Sequence, residues 1–240
     1  MTYYTGAIAA VPVANKSDYI AHLKAAWPLF RKYGAARMVE TWGVDVPRGK
    51  VNDLWGAVAA KEDEAVVFSW IEWPDQATAD AAWQQMQDDP AGKAMQMPFD
   101  GSRMIFGGFA PAFVGGTDRG AGYFQGFALA VPEKNRDAYV AMAREAWETG
   151  FQPHGCLGIV EAWGVDVPHG KRTDFYRASK AEAGETPIFS WTAWPDRATC
   201  DAAGKAMEAD MEGQDFPEMP FDGMRMMWGG FAPIFDSERG

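Results

Sequence analysis

The sequence contains few of the residues from which disulfide frameworks and metal sites are built. Its 240 residues include two cysteines and three histidines. A zinc site needs three or four suitably spaced nitrogen, sulfur or oxygen ligands, and His22, His154 and His169 are not spaced in that way. Cys156 and Cys200 are predicted to be small buried residues. We therefore expect no disulfide framework, no metal site and no bound cofactor.

Positive charge and long apolar runs are also scarce. The chain has 22 Lys and Arg against 33 Asp and Glu, a net charge of −11 that would repel phosphate backbones. No apolar run approaches the roughly 20 residues that span a bilayer. Residues 1–16 lack the basic start of a signal peptide, and their apolar run predicts a strand. We expect a soluble cytoplasmic protein with neither nucleic acid nor membrane as a partner.

Two further kinds of site lack their usual context. Phosphate-binding loops are glycine-rich and lead into a helix, whereas FGGFAP and WGGFAP end predicted strands with no helix following. Ser69 and Ser190 have no repeated histidine that could activate a nucleophilic serine. Neither a nucleotide site nor a serine hydrolase is therefore predicted.

What the sequence does contain is a long internal repeat. The clearest matches pair residues 6–12 with 126–132, 39–50 with 160–171, 68–78 with 189–199, and 97–111 with 219–233. Solenoid repeats have units of about 20–50 residues, so this much longer period indicates a duplicated domain. We expect a first copy over residues 1–116 and a second over 121–240, with a short glycine-rich connection over 115–122.

Each copy predicts the same order of elements, which is strand, helix, strand, short helix, strand, helix, strand. In the first copy the predicted strands are Tyr4–Val11, Arg37–Val46, Val66–Trp73 and Arg103–Phe109. The predicted helices run from an Asn15 cap to about Tyr33 with a bend at Pro28, over Asp53–Lys61, and from Asp75 to about Gln87. This order is typical of a ferredoxin-like α+β unit, a four-stranded antiparallel sheet with two main helices on one face. The uncovered face must be buried, so we expect the two halves to pair sheet against sheet.

The repeated segments closely resemble the YbaA-like family, an uncharacterised bacterial family of the dimeric α/β-barrel superfamily. The resemblance rests on YxxGxxxAVP, VExWxxDVPxGKxxDF, VVFSWIEWPD and MPFDGxRMxxGGF, which cover essentially the whole chain, once per half. It implies a tandem fusion in which two ferredoxin-like units form an intramolecular, pseudo-symmetric dimeric α/β barrel. The first copy departs from the pattern at residues 52–54, where Asn-Asp-Leu replaces Thr-Asp-Phe. The resemblance implies no particular activity.

A glutamate in the second strand of each copy is the main candidate for chemistry. Strand alternation places Glu40 on one face with Met38, Trp42 and Val44, and the second copy repeats this at Glu161. A carboxylate among apolar side chains has a raised pKa unless a cation or hydrogen-bond donors compensate, and such a group can act as a general base or acid. Glu40 and Glu161 are therefore weak catalytic candidates.

The favoured alternative for these glutamates is structural. Arg103 and Arg225 recur in both copies and are the expected ion-pair partners of Glu40 and Glu161. Asp45, Asp166, Asp100 and Asp222 are predicted to organise turns, with the last two near enough to pair with the same arginines.

The leading functional hypothesis is binding of a small apolar or aromatic molecule in a pocket of the α/β barrel, with one molecule in each half. The expected binding residues are Glu40, Trp42, Arg103, Glu161, Trp163 and Arg225. Two alternatives stay open: a cofactor-independent oxygenase or isomerase, by analogy with the superfamily, and an interaction module whose aromatics only fill the core. The two halves are expected to pair within the chain, and further homodimerisation stays open.

Overall fold

The computed structural model describes residues 1–210 and 218–239, so residues 211–217 and 240 of the expected second copy lie outside the described residues. The strands are β1 Tyr3–Pro12, β2 Arg37–Asp45, β3 Glu64–Trp73, β4 Ile105–Gly116, β5 Tyr123–Pro132, β6 Gly158–Asp166, β7 Glu185–Trp194 and β8 Met227–Asp236. The helices are α1 Lys16–Lys32, α2 Leu54–Ala57, α3 Gln76–Asp88, α4 Pro90–Ala94, α5 Arg136–Glu145, α6 Phe175–Ala178 and α7 Arg197–Asp210. The predicted α+β order of elements is confirmed in both halves.

The eight strands form one closed antiparallel barrel in the order β1-β3-β2-β8-β5-β7-β6-β4. Four consecutive strands in that order come from each half, and the halves join where β2 pairs with β8 and β4 pairs with β6. Closure leaves no free sheet edge. The pairing of the two halves within one chain is therefore confirmed, and its form is a barrel.

The last strand of each copy extends beyond the predicted bounds because it belongs to both halves. The first part of β4, Ile105–Phe109, pairs with β1 of its own half. Its remainder, up to Gly116, pairs with β6 of the other half. The repeat pattern within one copy predicted the first part only, because the partner of the second part lies more than 40 residues further along the chain.

Stacked aromatic rings fill the barrel interior. The Phe68 and Phe189 rings are parallel with centroids 4.1 Å apart, and those of Trp70 and Trp191 stack at 4.4 Å. Each pair joins equivalent positions of the two copies, and all four side chains are buried. A Cβ atom at Gly6 would lie 2.8 Å from the Phe189 ring, so only glycine lets β1 pass this stack. These aromatic side chains are therefore part of the core, as the interaction-module hypothesis supposed.

Short helices pack onto the interior where β2 and β6 finish. Leu54 of α2 and Phe175 of α6 belong to the same buried cluster as the stacked rings. Asp53 caps α2 by accepting a hydrogen bond from the Gly56 amide at 2.6 Å. The predicted short helix is confirmed, but it ends at Ala57 rather than Lys61.

A buried ion cluster lies at the opposite end of the barrel, where β2 begins. The Arg37 side chain has no exposed surface, and its guanidinium nitrogens lie 2.7 Å from Asp118, 2.8 Å from Asp236 and 3.0 Å from Glu72. Asp118 belongs to the connection between the two copies, so the ion pair ties that connection to β2. Asp118 also accepts a hydrogen bond from the Trp191 indole at 3.2 Å.

This cluster breaks the symmetry of the repeat. The position equivalent to Arg37 is Gly158, and that equivalent to Glu72 is Ala193. The Trp70 indole N–H, which corresponds to that of Trp191, has no hydrogen-bond partner among the described residues. The single connection between the copies supplies one Asp118, so it can serve only one of the two equivalent tryptophans.

The predicted first helix is confirmed except for its N-terminal cap. Asn15 precedes α1 as predicted, but its side-chain amide donates to the Pro98 carbonyl at 2.8 Å and does not cap the helix. The helix α1 continues through Pro28 to Lys32. In the second copy α5 ends in a π-helical turn over Ala146–Phe151, which accommodates one extra residue in that copy.

Candidate functional site

Each repeated glutamate lies on the outer face of the barrel, beneath the first helix of its half. Met38, Glu40 and Trp42 share this face, as alternation predicted, and all three are buried. The Tyr19 hydroxyl of α1 donates a hydrogen bond to Glu40 Oε2 at 2.8 Å. Tyr139 of α5 donates in the same way to Glu161. The candidate site is therefore a carboxylate held between sheet and helix, outside the filled interior.

Burial has the largest effect on the pKa of both carboxylates. Loss of solvation raises the pKa of Glu40 to about 7, while hydrogen bonds from Tyr19 and Ser69 act in the opposite direction. The pKa of Glu161 is likewise raised by burial to about 7. Neither carboxylate forms an ion pair within the part of the chain that the structure describes. Each can therefore change its charge near neutral pH.

The predicted ion pairs of these glutamates with Arg103 and Arg225 are wrong. Arg103 lies 2.6 Å from Glu64 and 3.0 Å from Asp100. Arg225 makes the equivalent contacts with Glu185 and Asp222, at 2.8 and 3.0 Å. The arginines belong to the turns before β4 and β8, which lie beside the first residues of β3 and β7.

Strand register explains why the two groups do not meet. Glu40 pairs with Ser69, which lies five residues along β3 from Glu64. At about 3.3 Å per residue this separates the two positions by roughly 17 Å. The structure therefore brings Glu40 together with Tyr19, Ser69 and Trp42, and leaves Arg103 elsewhere.

A row of cross-strand neighbours connects each glutamate to an exposed aromatic ring. In the first half Phe106 pairs with Ala7, Ala7 with Ser69, and Ser69 with Glu40. Phe106 is 47% exposed, Ala7 is half-buried, and the last two residues are buried. Directly paired side chains are about 4.5–5.5 Å apart, so the row is continuous on the outer face. It leads from the surface to the carboxylate.

The second half repeats this row with larger side chains. Its members are Trp228, Phe127, Ser190 and Glu161. Trp228 is 39% exposed, and Phe127 takes the place of Ala7. The sequence did not predict that the tyrosines contact the glutamates, and it did not predict the two rows. The available signal was the recurrence of Tyr19 as Tyr139 and of Ser69 as Ser190, but only the strand register shows that these residues are neighbours.

The predicted tryptophans lie beside the glutamates, with a cation above each ring. The Lys16 ammonium is 4.8 Å from the centroid of the Trp42 ring, and the Arg136 guanidinium is 5.3 Å from that of Trp163. Both tryptophans are buried. Cations at these distances interact favourably with an aromatic face. Trp42 and Trp163 therefore line the site, and each ring already interacts with a cation.

The remaining candidate groups have structural partners. Asp100 and Asp222 accept hydrogen bonds from the backbone of their own turns, as predicted. Burial raises the pKa of the Cys156 thiol to about 11 and that of Cys200 to about 12, so neither is a reactive thiolate at neutral pH. In residues 1–210 and 218–239 no group of three His, Cys, Asp or Glu side chains is placed to hold a metal ion. Over the same residues, no helix is long and apolar enough to cross a bilayer.

Comparison with known proteins shows which family this chain belongs to. A family model described as "Protein of unknown function (DUF1428)" matches residues 2–101 and again 122–223. The chain belongs to this family. The uncharacterised protein YbaA of Escherichia coli K12 is 51% identical over 111 residues, which cover 95% of YbaA and 45% of this chain. A YbaA protein of Shigella flexneri matches equally well. One YbaA chain thus corresponds to about one copy of the DUF1428 repeat.

Solved structures share the fold of this DUF1428 protein at low sequence identity. An anthrone oxidase-like protein is 10% identical with a TM-score of 0.54, and the match covers 98% of this chain and 92% of that one. A protein of Fusobacterium nucleatum to which monooxygenase activity is provisionally ascribed is 9% identical with a TM-score of 0.52, covering 98% and 93% of the two chains. These similarities support the barrel fold and carry no argument for a shared reaction.

The raised pKa values predict that replacing Glu40 by glutamine stabilises the protein at alkaline pH. Because the folded-state pKa lies above the ordinary 4.5, the contribution of Glu40 to stability is greatest below pH 4.5 and is lost as the pH rises through 7. At pH 8 we expect Glu40→Gln to exceed wild type by about 2 kcal/mol in the free energy of unfolding, with the gain shrinking toward pH 4.5. Urea denaturation at several pH values measures this difference.

Glu62→Gln is the matched control, because Glu62 is exposed. Its stability relative to wild type should not change with pH. A Glu40→Gln difference that stayed constant from pH 4.5 to 8 would show that Glu40 titrates normally.

Proposed function

We propose that each half of the protein binds a small aromatic molecule that carries a hydrogen-bond donor, with Glu40 and Glu161 as the acceptors. The observation that carries the proposal is a carboxylate without a cation partner among the described residues, which occurs twice and is buried at Glu40 and half-buried at Glu161. An ionised carboxylate in such a place is costly unless it is hydrogen-bonded. A donor from a ligand would add to the hydrogen bond that each tyrosine provides.

The row from Phe106 to Glu40 supports the choice of an aromatic ligand. Phe106 and Trp228 present aromatic surface at the outer ends of the two rows. Flat ligands gain about 0.5–1.5 kcal/mol from edge or offset contacts with such rings, beyond the area that they bury. Ser69 and Ser190 offer a second polar contact beside each carboxylate. Arg103 and Arg225 are not part of the proposed site, because their guanidinium groups are held by other carboxylates.

General-base catalysis by the same glutamates is the second candidate function. A carboxylate with a pKa near 7 is suited to removing a proton from a substrate at neutral pH. This arrangement fits an isomerase or an oxygenase that uses an activated carbanion without a cofactor. Activity that rises with pH through 7 would be its signature.

Paired probe ligands test the binding proposal. 2-Naphthol carries one donor, whereas 2-methoxynaphthalene has the same rings and none. At pH 8 we expect wild type to prefer 2-naphthol by about tenfold, because a hydrogen bond to a charged group contributes about 1.5–3 kcal/mol. In the Glu40→Gln, Glu161→Gln double variant the preference should fall below threefold. Tryptophan fluorescence titration measures both affinities.

Two comparisons sharpen this experiment. Glu62→Gln should keep the tenfold preference, and the wild-type preference should decrease at pH 5.5, where the glutamates are protonated. A double variant that still discriminated tenfold would overturn the role of the glutamates. Native mass spectrometry of the purified protein would separately reveal a retained small molecule and the oligomeric state.

A further inference from the structure

A cavity of about 270 Å³ lies among α1, α3 and α4 of the first half, away from the glutamate site. Its walls are the side chains of Leu29, Phe30, Trp83, Met86 and Met95. The volume is just below the roughly 300–1,000 Å³ of sites for drug-sized ligands. It corresponds to about nine times the ~30 Å³ that one water occupies in the liquid. A short hydrocarbon chain therefore fits its size and its lining.

Hydrogen bonds to one carboxylate hold the walls in place. Asp89, between α3 and α4, lies 2.7 Å from the Lys32 ammonium and accepts from the Tyr33 hydroxyl at 2.8 Å. Its other oxygen accepts from the Ala91 amide at 2.8 Å. These contacts join the α3–α4 corner to the end of α1. A Cβ atom at Gly92 would lie 2.2 Å from the Met86 carbonyl oxygen, so glycine lets α4 approach α3 this closely.

The charge at the cavity is positive and unneutralised. Lys93 is the one charged residue in the lining, and it forms no ion pair with any residue that the structure describes. Asp89, the acidic group nearest in sequence to Lys93 that makes contacts here, is already paired with Lys32. In a chain of net charge −11, a lone lysine beside an apolar cavity favours an anionic group on the occupant.

One wall of the cavity is specific to the first copy. Gly204 occupies the position equivalent to Trp83, and a Cβ atom there would contact nothing within 4 Å. The duplicated fold therefore does not need the Trp83 side chain, which is 39% exposed although it is a large aromatic residue. Its ring packs edge-on against the Phe30 ring, with centroids 5.6 Å apart, and the two rings form one wall of the cavity. Trp83 lines the cavity, and its ring also lies 6.5 Å from that of the buried Trp73.

We propose that this cavity binds the hydrocarbon chain of a small anionic amphiphile, a medium-chain carboxylate, with the carboxylate paired to Lys93. The apolar walls accept the chain, and the rim lysine selects the charge of the head group. The site is distinct from the glutamate sites and does not depend on their function.

Calorimetric titration with decanoate tests the proposal, with decyltrimethylammonium as the probe of opposite charge. Wild type should bind decanoate saturably and more tightly than the cationic probe. Lys93→Glu should weaken decanoate binding by about fivefold, as expected for an exposed ion pair. Gln87→Trp places a ring at the cavity from an exposed position and should abolish binding.

Matched variants separate the site from general surfactant effects. Lys205→Glu makes the same charge change on α7 of the second copy and should leave decanoate affinity unchanged. Circular dichroism at the highest probe concentration checks that each variant stays folded. Equal decanoate affinity in wild type, Lys93→Glu and Gln87→Trp would overturn the proposal, as would the absence of saturable binding to wild type.

Discussion

Replacing Arg37 by methionine is expected to lower the free energy of unfolding by about 3–5 kcal/mol. The Arg37 side chain is fully buried, and its guanidinium lies within 3.0 Å of Asp118, Asp236 and Glu72. Glu72 also pairs with Arg119 at 3.0 Å, so removing Arg37 mainly leaves Asp118 and Asp236 in a desolvated place without their nearest cation. Urea denaturation at pH 7 measures the loss, and Arg197→Ala, which breaks an exposed pair with Asp45, should cost less than about 1 kcal/mol.

Two companion measurements test the electrostatic origin of this loss. Arg37 holds the pKa of Asp236 below its ordinary 3.8, so the stability that it provides is present above that pH and is lost as the pH falls further. The difference in the free energy of unfolding between wild type and Arg37→Met should therefore become smaller at acidic pH. Adding Asp118→Asn and Asp236→Asn should restore part of the lost stability. If the triple variant were as unstable as the single one, lost packing rather than unpaired charge would be responsible.

Truncating Phe68 to alanine is expected to destabilise the protein by about 3–5 kcal/mol. The ring is fully buried at the barrel axis and contacts Phe189, Phe231 and Trp70. The closed antiparallel barrel holds its strands in fixed register, so the surrounding structure has little room to collapse into the space. Thermal and urea unfolding would measure the loss, with Phe106→Ala, at an exposed position, as a control that should cost much less.

The stacked pair provides a second test of the barrel itself. Phe189→Ala should cost about as much as Phe68→Ala, because the two rings occupy equivalent positions and stack at 4.1 Å. Since each ring supports the other, the double variant should lose less than the sum of the single losses, by roughly 1 kcal/mol or more. Strict additivity would mean that the two halves do not share one interior.

Fusion of the two copies gives this protein a feature that a single-copy chain cannot have. YbaA of Escherichia coli matches over 95% of its length and covers 45% of this chain, so it lacks a second copy and a connection between copies. Here the connection carries Asp118 to the buried Arg37. A duplicated chain can change one copy independently of the other, and Gly158 shows that the equivalent position did not acquire the cation.

Only part of the candidate site could be predicted from the sequence. Alternation along β2 correctly placed Glu40 with Met38 and Trp42, because side chains in any strand alternate between two faces. The partner was predicted wrongly because Arg103 was chosen for its recurrence in both copies. Recurrence shows that a residue is used twice, but it does not show what it contacts. Contact depends on register, and Glu64 rather than Glu40 lies beside the arginine.

The sequence by itself determined the duplication, the order of the elements, the α+β class and which neighbours share a strand face with each glutamate. Those features follow from periodicity and from short-range rules of turns and caps, which are local. Only the tertiary structure decided that β4 and β8 serve both halves, that Arg37 meets Asp118, and that Tyr19 contacts Glu40. The last two contacts join residues that are 81 and 21 positions apart. Their geometry is set by closure of the barrel, which no local pattern encodes.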